Sequence, residues 1–422
     1  MHKGFSRRTL ERGSQLLFTE NLETPIISTR FLFPSKIGAP GLAHLTSAVL
    51  TKGTQHHNSQ ELAGLVENAG AQLGYETATD YLLLSLKCLA EDFKALFTLC
   101  LEILTEANFP EDQVSLEKNV TLQGIRAQRE RAFSVAYSQF REHLYGPKHP
   151  YGYSTLGTEE TVTAFQSQDL ATYHQNAFNL DRMVLSLCGG VSDELKDFVE
   201  EQVKSLPSRA SDHKDDTVPE PEPTGTHRIV TPQETEQTTV LLGYAACGIH
   251  HADYPALKVL NTYLGSGLSS RLFVELREKR GLAYEVSSFF PTYRQHAHFG
   301  AYIGTAPQNV PTAEEGLRRE LEQIREIPLT DEALQAAKNK TLGQYALGKQ
   351  TNSQIAQLLG WYEILGVGAD HDEHYPDLIG QVTADDVKRV GQIYFTEPVV
   401  SLVGPVDDEK VANECSEVTL KV

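Results

Sequence analysis

MVLSLCGGVSD, residues 183–193, is a short apolar run that stops on glycine and turns polar. A run of this length bounded by a glycine turn reads as a buried strand. VVSLVGPVDD, residues 399–408, repeats the pattern about 210 to 220 residues later. Each is preceded by a segment of helical period, DLATYHQNAF (169–178) and DDVKRVGQIYF (385–395).

Working back from these two endings, the same order of elements emerges twice. An extended apolar segment comes first, TPIISTRFLF (24–33) and TTVLLGYAA (238–246). Two helix-period segments follow, GLAHLTSAVL with SQELAGLVENAG in the first half and YPALKVLNTYL with SSRLFVELREKRG in the second. Next come period-two runs, AQLGYETATDYLLLSLKCL and LAYEVSSFFPTYRQHAHFGAYIG, and then the helices EDFKALFTLCLEIL and TAEEGLRRELEQI. Breaks containing proline lead into the long helices FPEDQVSLEKNVTLQGI and IPLTDEALQAAKNKTLGQY. The repeated order predicts a duplicated α+β fold, each copy a mostly antiparallel sheet with helices packed on one face. SRASDHKDDTVPEPEPTGTH, polar and rich in proline, reads as the connector. The expected domains are residues 1–207 and 228–422, with 208–227 as the linker.

A chain of 422 residues suits two such domains. Its formal charge of −19 argues against a nucleic-acid partner, which needs a basic surface. No stretch has the length of a membrane span, and the N-terminal MHKGFSRRTLERGSQLLFTENL lacks the apolar centre of a secretory signal. The expected compartment is the cytoplasm, or a periplasm or organelle if a leader was removed. The five cysteines, Cys88, Cys100, Cys188, Cys247 and Cys415, form no CxxC pair and read as reduced thiols rather than a zinc site.

Three constellations carry chemistry. In GLAHLTSAVLTKGT (41–54), His44 sits one turn into a helix that opens like a metal-binding one. Two imidazoles bind one ion from a helix when they are four residues apart, and a glutamate beside the second can serve as base, as in HxxEH. Here those positions hold Ser47 and Ala48. In LREKRGLAYEV (276–286), Arg277 and Tyr284 bring permanent N–H donors and one hydroxyl that could hold a substrate carbonyl or an oxyanion; spacing alone favours a surface helix residue and a strand residue. In YLGSGLSSRLF (263–273), Gly265 and Gly267 precede a helix capped by Ser269 or Ser270 but lack the lysine of a phosphate loop. His56–His57, His250–His251 and His371 with His374 lie in polar stretches without a third ordered ligand. GYETATDYLLLSL (74–86) is a candidate edge strand.

The string from His44 to Lys52-Gly53-Thr54, with SLEKNVTLQGI downstream, LREKRGLAYEV, HPYG and the two closing turns, resembles the pitrilysin/insulinase-type zinc metallopeptidases. The similarity is to their mitochondrial-processing-peptidase-like branch, and it runs from about residue 10 to 410. The resemblance implies that Ser47 and Ala48 stand where the catalytic Glu and second His belong. It also implies that Glu117 matches the first residue of a Glu-x6-Glu pair whose second, metal-binding member is replaced by Gly124. One zinc ligand of three remains, so no zinc is expected in this chain. The same resemblance makes Arg277 and Tyr284 an intact substrate- and oxyanion-binding pair, as supplied by zinc-less subunits. Gly265 and Gly267 match a substrate-contacting glycine turn, shorter here than in that branch.

The resemblance further implies a half-shell that pairs with a homologous HxxEH-bearing zinc subunit. In that heterodimer zinc-activated water would attack an extended peptide substrate. The alternatives are a non-proteolytic scaffold in a larger assembly, or a homodimer of the isolated chain that binds peptides without cutting them.

Overall fold

The computed structural model describes residues 4–207, 218–225 and 228–405. Most of the expected connector, Cys415 and the last residues of the 399–408 stretch lie outside them. The strands are β1 (Phe5–Thr9), β2 (Gln15–Glu20), β3 (Ile26–Pro34), β4 (Gln72–Thr77), β5 (Tyr81–Leu89), β6 (Val184–Gly189), β7 (Arg228–Pro232), β8 (Thr238–Cys247), β9 (Glu285–Phe289), β10 (His296–Thr305) and β11 (Val399–Gly404). Among the helices are α1 (Leu42–Leu50), α2 (Ser59–Asn68), α3 (Phe93–Glu106), α4 (Glu111–Arg129), α5 (Ala132–Tyr145), α6 (Ser167–Ala177), α7 (Tyr254–Gly265), α8 (Val310–Glu326), α9 (Asn352–Leu365) and α10 (Ala384–Tyr394).

The strands form a six-stranded sheet, β1-β2-β6-β3-β5-β4, and a five-stranded sheet, β7-β11-β8-β10-β9. The duplication is visible in the pairing. β2 runs parallel to β6, as β7 does to β11. The remaining neighbours of that shared five-strand core are antiparallel in both sheets. The two closing stretches, β6 and β11, are buried along their whole length, which is why they read as continuous apolar runs.

The chain divides into two compact units. One comprises the described parts of residues 1–125, 154–217 and 346–373; the other those of 126–153, 218–345 and 374–422. In the first unit, Phe31, Phe33, Leu82 and Leu84 face Leu45 and Val49 of α1 and Phe93 and Phe97 of α3. The opposite face, Leu32, Tyr81 and Leu83, packs against Ile355, Ala356 and Leu359 of α9. To the helix layer expected from the sequence, the fold thus adds a helix on the other side.

The second unit repeats the device with α5. Ala136, Phe140 and Leu144 of that helix cover Leu241, Val399 and Val403. β8 carries Gly243 under the helix because a Cβ there would lie 2.1 Å from the Phe140 ring. Beside this contact His298 is fully buried, with both ring nitrogens engaged, Nε2 by the Tyr137 hydroxyl (2.9 Å) and Nδ1 by that of Tyr145 (2.8 Å). Burial pushes its pKa well down, as expected for an imidazole removed from water.

Candidate functional site

The residues singled out in the sequence fall into two groups, one in each unit. In the first, α1 carries His44, Ser47 and Ala48, expected to be a degenerate metal motif. Ser47 and Ala48 are buried in the unit's interior, and the Ser47 hydroxyl donates to the Ala43 carbonyl (2.9 Å). His44 is half-buried with its ring near Tyr75 of edge strand β4, centroids 6.3 Å apart. Burial pushes the imidazole pKa down, opposed by the Glu117 charge. Glu117 itself is buried on α4 and paired with Lys52 Nζ at 3.0 Å. Gly124, half-buried on α4 one position before the buried Ile125, has no side chain to offer a ligand atom.

These residues do not fit zinc. A structural or catalytic zinc takes three or four N, S or O ligands. The set offers one imidazole, a carboxylate already held by a lysine, and a hydroxyl bonded to its own helix. Among the described residues no three His, Cys, Asp or Glu side chains come together as a metal group. Three further histidines are tied locally: His56 to Glu106 (2.8 Å), His57 to Glu102 (2.9 Å), and His251 beside Asp253 (3.6 Å). His149 and Tyr151 of HPYG are buried, with the His149 ring bonded to the Pro219 carbonyl and the Tyr151 amide.

In the second unit, residues Phe273–Glu278 wind as a π-helix, with Lys279 N–H donating to the Val274 carbonyl. Such a widened turn is rare and recurs at functional sites. It ends on Gly281 at φ 62°, whose N–H donates to the Arg277 carbonyl, and Tyr284 stands immediately before β9. Arg277 and Tyr284 both reach solvent, the tyrosine 58% exposed.

The cations around them are all committed. Arg271 and Arg280 pair with Glu320 at 2.7 and 3.5 Å, and Lys279 with Glu275 at 2.7 Å. Arg277 has no such carboxylate among the described residues; its guanidinium lies over the Phe273 ring at 5.0 Å. The Tyr284 hydroxyl likewise has no hydrogen-bond partner there.

Gly265 ends α7 where β9 crosses close by: a Cβ there would sit 2.0 Å from the Ser288 amide nitrogen. Gly267, at φ 75°, continues the turn, and the Lys340 ammonium bonds the Ser266 carbonyl beneath it. Ser270 occupies the helix N-cap position, its hydroxyl buried without a partner. Sequence reading missed one feature, Arg30 in the middle of β3. The available signal was a charge inside the apolar run STRFLF.

Residues 38–159 match the family described as insulinase (peptidase family M16), and residues 164–341 match the peptidase M16 inactive domain. The chain belongs to the M16 peptidase family. This M16 chain is 27% identical to the uncharacterized zinc protease YmxG of Bacillus subtilis over 370 residues, 86% of this chain and 88% of the relative. It is also 27% identical to an uncharacterized zinc protease of Streptomyces coelicolor, over 97% of this chain and 92% of that one.

Among solved structures, a peptidase M16 inactive domain from Pseudomonas fluorescens superposes with a TM-score of 0.88 at 24% identity, covering 96% of this chain and 99% of its own. A protease from Helicobacter pylori gives 0.84 at 20%, with the same coverage. These two likenesses speak for the fold. Among the described residues no helix is long and apolar enough to cross a membrane.

Proposed function

We propose that this chain is the zinc-less subunit of a heterodimeric M16 metallopeptidase acting on peptides. A homologous chain bearing HxxEH, the distal glutamate and the metal would complete the active site. The observation that carries the reading is the uncommitted pair, Arg277 and Tyr284, beside a set of cations that all have carboxylate partners.

In this reading the chain's own residues position and stabilise. Arg277 donates to a peptide carbonyl. Tyr284 donates its hydroxyl to the same oxygen as it gains negative charge. Such donors act by being stronger toward the oxyanion than toward the ground-state carbonyl. The turn Gly265–Gly267 adds backbone and the exposed Leu268 as a further substrate contact.

The test is reconstitution. The chain alone should not cleave a fluorogenic peptide; with an HxxEH-bearing M16 partner from the same genome it should. Unchanged cleavage by an Arg277→Ala complex would overturn the assigned role. An assembled complex that never cleaves any peptide would favour the scaffold instead. The cytoplasm remains the proposed compartment.

A further inference from the structure

Arg30 is a charge in the interior of the first sheet, and its surroundings are unusual. Its Nε donates to Gln357 Oε1 (3.0 Å), Nη1 to the Thr29 carbonyl (3.0 Å) and Nη2 to the Ser353 carbonyl (3.3 Å). A guanidinium has five N–H donors, so one on each terminal nitrogen is left over. No Asp or Glu among the described residues lies within ion-pair distance. Arg30 is half-buried, and Glu76 acts on it only through its charge, from beyond ion-pair distance; proteins ordinarily pair a cation withdrawn from water more closely.

Arg30 lines a cavity of about 660 Å³ between α9 and strands β4 and β5. This volume falls within the range of about 300–1,000 Å³ typical of small-molecule sites. One part of the lining is polar: Arg30 and the first two turns of α9, whose N-terminal dipole favours an anion. The other part is apolar and aromatic, formed by Leu83, Tyr81 and Trp361. Glu76, on the exposed edge strand, also lines the cavity and accepts the Tyr81 hydroxyl (2.9 Å). That fixed negative charge disfavours a doubly charged anion such as phosphate.

We infer that this cavity binds an organic monocarboxylate with an apolar or aromatic body. The carboxylate takes the two free N–H groups of Arg30 side by side, and the body lies against Trp361 and Leu83. The carboxylate can come from a free acid or from the C-terminus of a short peptide. The site's chemistry does not depend on Arg277, Tyr284 or a partner chain.

Trp361 is the single tryptophan of the sequence, so its fluorescence reports the cavity directly. The full-length chain is titrated with 3-phenylpropionate, its uncharged amide, N-acetyl-leucyl-phenylalanine and inorganic phosphate. The inference expects a saturable change with the carboxylates and at least about tenfold weaker binding of the amide, the weight of a charge-assisted pair. A tighter peptide acid identifies a peptide C-terminus as the source; a tighter phenylpropionate identifies a free acid.

Arg30→Gln should remove the response. Because that variant removes a buried contact, Glu76→Gln on the exposed edge strand is measured too, and it should tighten carboxylate binding. Equal binding of acid and amide, equal response to phosphate, or no effect of Glu76→Gln would each overturn the assignment.

Discussion

His44 stands in the first turn of its helix and Arg277 in the last turn of its own, and their surroundings are opposite. Around His44 the groups that could act are consumed at home: Ser47 bonds its own helix, Glu117 holds Lys52, and Ala48 and Gly124 offer nothing. Around Arg277 the neighbouring Arg271, Lys279 and Arg280 are each paired, and among the described residues Arg277 has no carboxylate, with Tyr284 nearby in the chain. The difference teaches that a retained residue is informative when its bonding capacity is left unspent. A lone imidazole beside a tyrosine is at home in a half-buried setting; an unpaired guanidinium on a widened helix is what the proposed substrate-binding role requires.

The comparison can be broken most decisively at the metal. Elemental analysis of the untagged chain should find no zinc surviving dialysis, and chelators should leave its melting temperature unchanged. The triple variant Ser47→Glu, Ala48→His and Gly124→Glu should gain about one zinc per chain, since three N/O ligands on two helices satisfy the ion. A Cβ at position 124 meets only Leu156 at 3.6 Å, an ordinary contact. Zinc retained by the wild-type chain would erase the contrast between the two regions.

Next in size is the second region. In an assembled complex, Arg277→Ala should lower kcat by about 100-fold, equivalent to about 3 kcal/mol of transition-state stabilisation. Tyr284→Phe should cost about tenfold, the value of one hydrogen bond. KM should move less than kcat in both. A fall confined to KM would recast the pair as plain substrate binders.

A smaller effect sharpens the geometry. Gly281→Ala forces a side chain into the left-handed region at φ 62° and should destabilise the chain by about 1 kcal/mol, measured by denaturant unfolding. Its activity loss in the complex should exceed that of an equally destabilising core variant, because the turn aims Tyr284.

The smallest effect lies at His44. NMR titration should find its pKa below the ordinary histidine value, because burial disfavours the imidazolium. The unfolded chain then takes up its proton first, so the contribution of His44 to stability falls as the pH drops from the unfolded pKa toward the folded one. Glu117→Gln should push that pKa lower still, because the carboxylate opposes the shift.

Much of this was legible beforehand. The duplication could be read because β6 and β11 are buried throughout and end on glycine, and because the apolar runs of β3 and β8 recur at the same offset. That Ser47 and Ala48 supply no second imidazole or base could be read from the helix register; the place of Gly124 came only from the resemblance to the metallopeptidases. Other features depend on contacts between residues far apart in the chain. Arg30 stands out in its strand, but the turn of α9 that shares its cavity comes more than 300 residues later. The π-helical winding before Gly281 leaves no composition signal, since Phe273–Glu278 reads as any amphipathic helix.

The helices α5 and α9 have a bearing on the history of such a chain. Each lies in the stretch of sequence that otherwise builds one unit and is packed into the other. A gene that split between the repeats would yield two polypeptides, each with an uncovered sheet face and an orphaned helix. Once the duplicated copies had traded these helices, neither could be discarded or inherited separately. A chain whose described residues gather no metal group is thereby kept whole, on a scaffold that cannot be trimmed.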